Sequence, residues 1–262
     1  VVLAAVVGGT MYGVTRPDSG PPPADPAALE RVCGPAATIP EVENSVRIGC
    51  ALTTPVIDGQ FDDWASQSSS TVDTEVFPTT TTAEGFSADW AGSWDREALY
   101  LHARVTDPSL RPVDESQPSQ FFKGDSISFE FGPDPEGLST DAGLRNGQDL
   151  HVMIGLTESG ARAAINPAVK GVFTAGDFAP EITAAAARFD GGYEIEARVP
   201  WSALGVDTPS RGAVFGANFN VSDAAFTNKW ALGRMISSNP ERTGANQPHP
   251  GTWQRLVLGD EP

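Results

Sequence analysis

Three glutamates, Glu130 in DSISFEF and Glu194 and Glu196 in GGYEIEARVP, are the side chains best spaced to act as paired carboxylates. Glycoside hydrolysis would need two of them about 5 to 9.5 Å apart. Acids on the polar face of an exposed strand more commonly serve as solvated charge. A second set, Asp107, Asp125, Asp134, Glu136 and Asp141, falls at loops. Oxygen clusters of this kind suit structural calcium, although the EF-hand spacing is absent. No G-x-S-x-G, H-E-x-x-H or P-loop pattern occurs, so the expectation is a protein that is not an enzyme.

The elements that must hold these residues are strands. In ALYLHARVTD, Leu99, Leu101, Ala103 and Val105 share one face and Tyr100, His102, Arg104 and Thr106 the other. Ile127, Phe129 and Phe131 oppose Ser126, Ser128 and Glu130 in the same way. Tyr193, Ile195, Ala197 and Val199 follow the Asp190-Gly191-Gly192 hairpin signal and oppose Glu194, Glu196 and Arg198. Further strands are expected at 150–156, 182–189, 214–221 and 253–258, with long polar loops at 66–84 and 107–120. PWSALGV reads as one short helical turn, opened by Pro200 and closed by Gly205, with Trp201 plugging the core beneath it. Trp90, Trp94 and Trp253 are expected in the core. Alternating strands cannot bury their apolar faces without a second layer, so the fold class is all-β, a two-sheet antiparallel β-sandwich of jelly-roll kind.

Composition agrees. The 262 residues carry 27 glycines and 22 prolines, which interrupt helices and supply turns. A formal charge of −17, with 34 acids against 17 bases, repels phosphate and excludes nucleic acid as a partner. The first fourteen residues, VVLAAVVGGTMYGV, are uncharged but shorter than the ~20 needed to span hydrocarbon. Residues 1–15 read as the trailing part of a membrane anchor or signal segment, helical in either case, or as a buried first helix. Residues 16–50 form a Pro-rich linker, and 51–262 the sandwich. Cys33 and Cys50 form an even pair outside any C-x-x-C spacing. They point to one disulfide and an extracytoplasmic location, tethered by the N-terminal segment.

PVIDGQFDDWA, WDREALYLHARVTDPSL, GDSISFEFGPDP, GGYEIEARVPWSALGV, VFGANFNVSD and GTWQRLVLGD occur in the order and spacing of carbohydrate-binding module family 9. The chain resembles that family, one of the DOMON-like sandwiches, over about 52–259. The resemblance implies non-catalytic binding of a glycan or oligosaccharide end between two aromatic rings. The clamp maps to Phe122 and Trp230, with His151, Asn218 and Asn220 as polar contacts. It departs from the family at Ser128, where sugar binders carry glutamate, and at His151, where they carry arginine. Phe122 reads equally as a rim hydrophobe beside Phe121. The element with Asp58, Gly59, Asp62 and Trp64 resembles the family's structural first strand. Two alternatives follow: a structural or protein-interaction sandwich without a sugar site, or noncovalent haem b held by Met153, His151 or Lys229, since C-x-x-C-H is missing.

Overall fold

Period-two patterning over most of the chain becomes fifteen strands in the computed structural model, which describes residues 24–64, 67–77, 85–134, 143–225, 228–244 and 249–260. Residues 1–15, Glu136 and Asp141 lie outside this set, as do the side chains of 77, 225 and 228–232. The strands are β1 (Ser45–Cys50), β2 (Ser69–Val72), β3 (Thr74–Phe77), β4 (Ser87–Trp94), β5 (Ala98–Thr106), β6 (Ser126–Gly132), β7 (Leu150–Thr157) and β8 (Gly160–Val169). They continue with β9 (Val172–Phe173), β10 (Asp177–Phe178), β11 (Thr183–Phe189), β12 (Gly192–Pro200), β13 (Val214–Ala225), β14 (Asn228–Ser237) and β15 (Gln254–Leu258).

One layer runs β10-β8-β7-β6-β13-β15-β1, with β14 on the far end of β13; the other runs β1-β4-β5-β12-β11, with β2 on β4. Pairing is antiparallel except at β1. Its residues Ser45 to Ile48 run parallel to β15, and Gly49 and Cys50 then run parallel to β4. This strand belongs to both layers, which corrects the purely antiparallel expectation.

The alternating apolar faces meet as read from the sequence. Leu99, Leu101, Ala103 and Val105 from one layer and Ile127, Phe129 and Phe131 from the other are all buried in one cluster with Tyr193, Ile195 and Val199. Trp90 stacks on Phe219 across the layers at 4.7 Å. Trp94, Trp201 and Trp253 are also buried. Each such aromatic removes a large apolar area from water, which is the main stabilising contribution to a sandwich of this size. The Trp201–Leu204 turn closes at Gly205 in the left-handed conformation, as a glycine after a helical turn should.

Three segments differ from the sequence reading. Residues 26–50, placed in the linker, carry the helix α1 (Pro26–Cys33) and β1. The Cys33–Cys50 disulfide ties that helix to the sheet, with a Cα–Cα separation of 6.1 Å. Closing a loop of this length stabilises by about 3 kcal/mol in the chain-entropy model. Residues 66–84, read as loop, contain β2 and β3. The segment around Trp64 is a 3-10 turn, Asp62–Trp64, rather than a strand. Glu196 explains that turn: its buried carboxylate accepts from the Asp58 and Gly59 amides at 2.6 and 2.5 Å and from the Trp64 indole at 3.0 Å.

The largest departure concerns the polar face of β6, β7 and β13. Alternation predicts a solvated face, yet Ser126, Ser128, Glu130, His151, Asn218, Asn220 and Ser222 are all at most 4% exposed. The 3-10 turn Pro118–Lys123 lies across it, and Phe121 packs there with Val113, Met153 and Ala164. Gly155 permits the approach, because a Cβ at that position would stand 2.6 Å from the Val113 methyls.

Candidate functional site

Phe121 and Phe122 are neighbours with opposite fates. Phe121 turns into the small apolar cluster under the 3-10 turn, while Phe122 is half-buried and lines a cleft of about 550 Å3. Ligand pockets are commonly of this size. The cleft lies between that turn, β7 and β8, and the excursion at 171–175 that includes β9. Short turn chemistry shapes the excursion: Lys170 and Gly171 both take positive φ, so the chain reverses there and presents Val172 and Phe173 to the cleft.

His151 and Asn166 are opposite each other on β7 and β8, and both line the cleft. His151 is 4% exposed and its ring lies 5.4 Å from that of Phe173. Its Nε2 is buried with no protein partner among the described residues. Burial holds the imidazole neutral, down to a pKa of about 4, with Glu130 pulling it up and Arg242 pushing it down. Asn166 donates its amide to the Ser119 carbonyl at 3.0 Å, and its Oδ1 is a second buried polar atom without a partner among the described residues. The site therefore offers one ring edge, one amide oxygen and the phenyl of Phe122, all within one cleft.

Of the residues expected from sequence, Phe122 and His151 meet in this cleft. Trp230 is carried on β14, but its side chain lies outside the described residues, as does that of Lys229. A second phenyl ring lining the cleft is Phe173, which the sequence reading missed; the Lys170-Gly171 turn signal before a Val-Phe pair was the available clue. Asn218 and Asn220 do not line the cleft, because the covered sheet face encloses both. Asn218 donates to Glu130 at 2.7 Å and accepts from Asn239 at 2.7 Å. Met153 packs under the turn with Val113 and Phe121, so of the haem candidates with described side chains only His151 reaches the cleft.

The three glutamates are each engaged. Glu130 pairs with Arg242 at 2.6 Å, both side chains 1% exposed. Glu194 pairs with Arg104 at 2.6 Å. Glu196 holds the Asp58–Trp64 turn described above. Glu130 sits in one layer and the other two in the opposite layer, so Glu130 does not face either of them across a shared cleft.

A separate cluster joins Asp107 after β5, Asp125 before β6 and Asp223 on β13. One carboxylate oxygen from each lies within 4.8 Å of the others, and all three residues are buried. Asp107 accepts from the Ser109 amide and Asp125 from the Arg111 amide, yet among the described residues the second oxygen of each has no hydrogen-bond partner, nor does one of Asp223. Desolvation first, and Asp107 second, push Asp125 up to about 8 and Asp223 up to about 7. Burial first, and then all three carboxylates, push the Tyr193 hydroxyl well above its ordinary value; it too has no hydrogen-bond partner among the described residues. An all-oxygen set of this kind fits a divalent cation such as calcium. Of the five acids expected there, Asp107 and Asp125 belong to it; Asp134 instead pairs with Arg145.

Residues 57–259 match the model of a family described as carbohydrate family 9 binding domain-like. Endo-1,4-beta-xylanase A of Thermotoga neapolitana is 27% identical over 172 residues, which is 65% of this chain and 14% of that enzyme. The chain therefore spans only a small part of the curated relative. A family 9 carbohydrate-binding module from Caldicellulosiruptor kristjanssonii, solved with cellotriose, superposes with a TM-score of 0.59 at 21% identity, covering 83% of this chain and 95% of that one. The same module solved with glucose gives a TM-score of 0.59 at 21% identity over 83% and 97%. At these identities the two structures establish the shared fold.

The neutral, buried His151 makes stability fall with acid. Below its ordinary value of 6.5 the unfolded chain takes up a proton that the folded chain refuses until about 4, so stability is lost as pH falls through that window. Denaturant titrations at several pH values should show a shallower loss between these limits in His151→Gln than in the parent protein. Equal slopes would mean that His151 is solvated and charged in the fold.

Proposed function

The chain belongs to the carbohydrate family 9 binding domain-like family, and from that premise we propose that it binds a saccharide end, without cleaving it, in the cleft lined by Phe122 and His151. A pyranose has C–H faces that stack on an aromatic ring and hydroxyl edges that need hydrogen bonds. The observation that carries the reading is the coincidence of the half-buried Phe122 ring with two buried, unpartnered polar atoms, His151 Nε2 and Asn166 Oδ1. A hydroxyl group can donate to Asn166 Oδ1, and it can donate to or accept from His151 Nε2 according to the tautomer. Relatives solved with glucose and cellotriose, and a xylanase relative, make gluco- and xylo-oligosaccharides the first ligands to try. The disulfide supports an extracytoplasmic location, and the uncharged residues 1–15 support tethering at a membrane. Among the described residues no helix is long and apolar enough to cross one.

Asp107, Asp125 and Asp223, we infer, hold a structural calcium ion. They come from both layers, so a bound cation would cross-link the sandwich at one end and compensate three carboxylates that cannot all ionise together when buried. The ion would act on stability and stand apart from sugar recognition.

Two measurements follow. Calorimetric titration with glucose, cellotriose and xylotriose should give saturable heat with at least one of them. Phe122→Ala should then weaken binding by about 1 to 2 kcal/mol, roughly five- to thirtyfold. Silence from every sugar would favour a sandwich that serves structure or protein interaction instead. Separately, removing calcium with a chelator should lower Tm, by roughly 2 to 4 °C for each kcal/mol of linked binding. Asp125→Asn should abolish that response, and an unchanged midpoint in the parent protein would contradict the bound ion.

A further inference from the structure

The chain has three lysines among 34 acids and 17 bases, and two of them flank one cleft. Lys123 lines the cleft on the turn that carries Phe122. Lys170 stands at the tip of the hairpin between β8 and β9, next to Gly171 and Val172, which also line the cleft. Neither lysine forms an ion pair among the described residues. The Lys123 ammonium donates to a neutral acceptor, Gln120 Oε1, at 2.6 Å, and Lys170 is exposed. Several arginines are, by contrast, matched to acids, as at Arg104 with Glu194, Arg162 with Glu115 and Arg242 with Glu130.

Among the described residues no carboxylate lines the cleft. Glu130, opposite the cleft-lining His151 in the β6–β7 register, is engaged by Arg242 and Asn218. Asp114 lies on a neighbouring recess that also touches Lys123, but its oxygens accept from Ser116 and Gln117. A strongly acidic protein thus presents, among the described residues, a cleft lined without acids, with Lys123 in its lining and Lys170 on the turn that leads into it, neither in an ion pair. At physiological salt the Debye length is about 8 Å, so these local charges outweigh the distant acids in the field that a bound group feels.

We propose that the preferred ligand is an anionic saccharide, whose carboxylate or sulfate lies toward Lys123 and Lys170 while its hydroxyls meet Asn166 and His151. This rests on the saccharide reading above and narrows it. An ammonium gives a charge-assisted hydrogen bond to a hydroxyl and to a carboxylate alike, but only the anion adds the Coulomb attraction of an ion pair, and that attraction is what discriminates.

The test is calorimetry on the intact chain with trigalacturonate, a sulfated disaccharide and neutral cellotriose at physiological salt. Trigalacturonate, the sulfated sugar or both should bind at least about tenfold more tightly than cellotriose. The double variant Lys123→Met, Lys170→Met should bring that ratio down to about one, and added salt should reduce it in the parent protein. Tighter binding of the uronate than of the sulfate would identify a carboxylate as the recognised group, and the reverse order a sulfate ester. Cellotriose binding as well as or better than both anions would overturn the anionic preference and leave saccharide binding intact. No binding of any of the three would remove both.

Discussion

A polar sheet face taken out of water must find a partner for each donor and acceptor, and the outer face of β6, β7 and β13 is built under that constraint. Burying an unpaired charge there would be destabilising by several kcal/mol, and a lone polar atom by about 1 to 3 kcal/mol. The chain meets most of the demand with Glu130, Arg242, Asn218 and Asn239, which bind one another at 2.6 to 2.7 Å. Such a network also fixes the backbone of the strands that carry it. Among the polar atoms left over, those of His151 and, on the neighbouring β8, Asn166 open onto the cleft, where a ligand can reach them. Ser128 and Asn220 also lack protein partners, and they lie deeper under the same cover.

The apolar half of the fold was legible because it follows from period two alone. Leu99 through Val105, Ile127 through Phe131 and Tyr193 through Val199 each point inward as their alternation requires. The polar half was not, because alternation tells which residues share a face and says nothing about what covers it. That depends on Val113 and Phe121, from a segment without periodicity, and on Gly155, whose missing side chain admits them. The same limit applies to Asn218 and Asn220: a correct strand and a correct face still placed them inside a covered layer. Phe122 and His151 were found through a resemblance spanning the domain, whereas Phe173 sits on a two-residue strand too short to carry any pattern.

Elsewhere the two layers are fastened by local devices more than by extra core. β1 crosses from one layer to the other, and the disulfide anchors α1 at its end. Glu196 pins the turn before Trp64 to the outside of the second layer, where the Trp64 ring stacks on His102 at 5.3 Å. The three aspartates gather at the ends of β5, β6 and β13 from both layers. The cleft lies away from these fastenings, so its rim residues are under fewer constraints of folding than the glutamates that first suggested chemistry.

The central claim, that the cleft over the covered polar face is where a saccharide binds, is tested most directly by the imidazole nitrogens. The chain has three histidines, and only His151 lines the cleft. A long-range proton–nitrogen NMR spectrum recorded with and without a saccharide that calorimetry shows to bind should move the His151 Nε2 resonance and leave His102, on the opposite layer, in place. Movement at His102 with His151 unchanged would put the binding site on the other sheet and contradict the account.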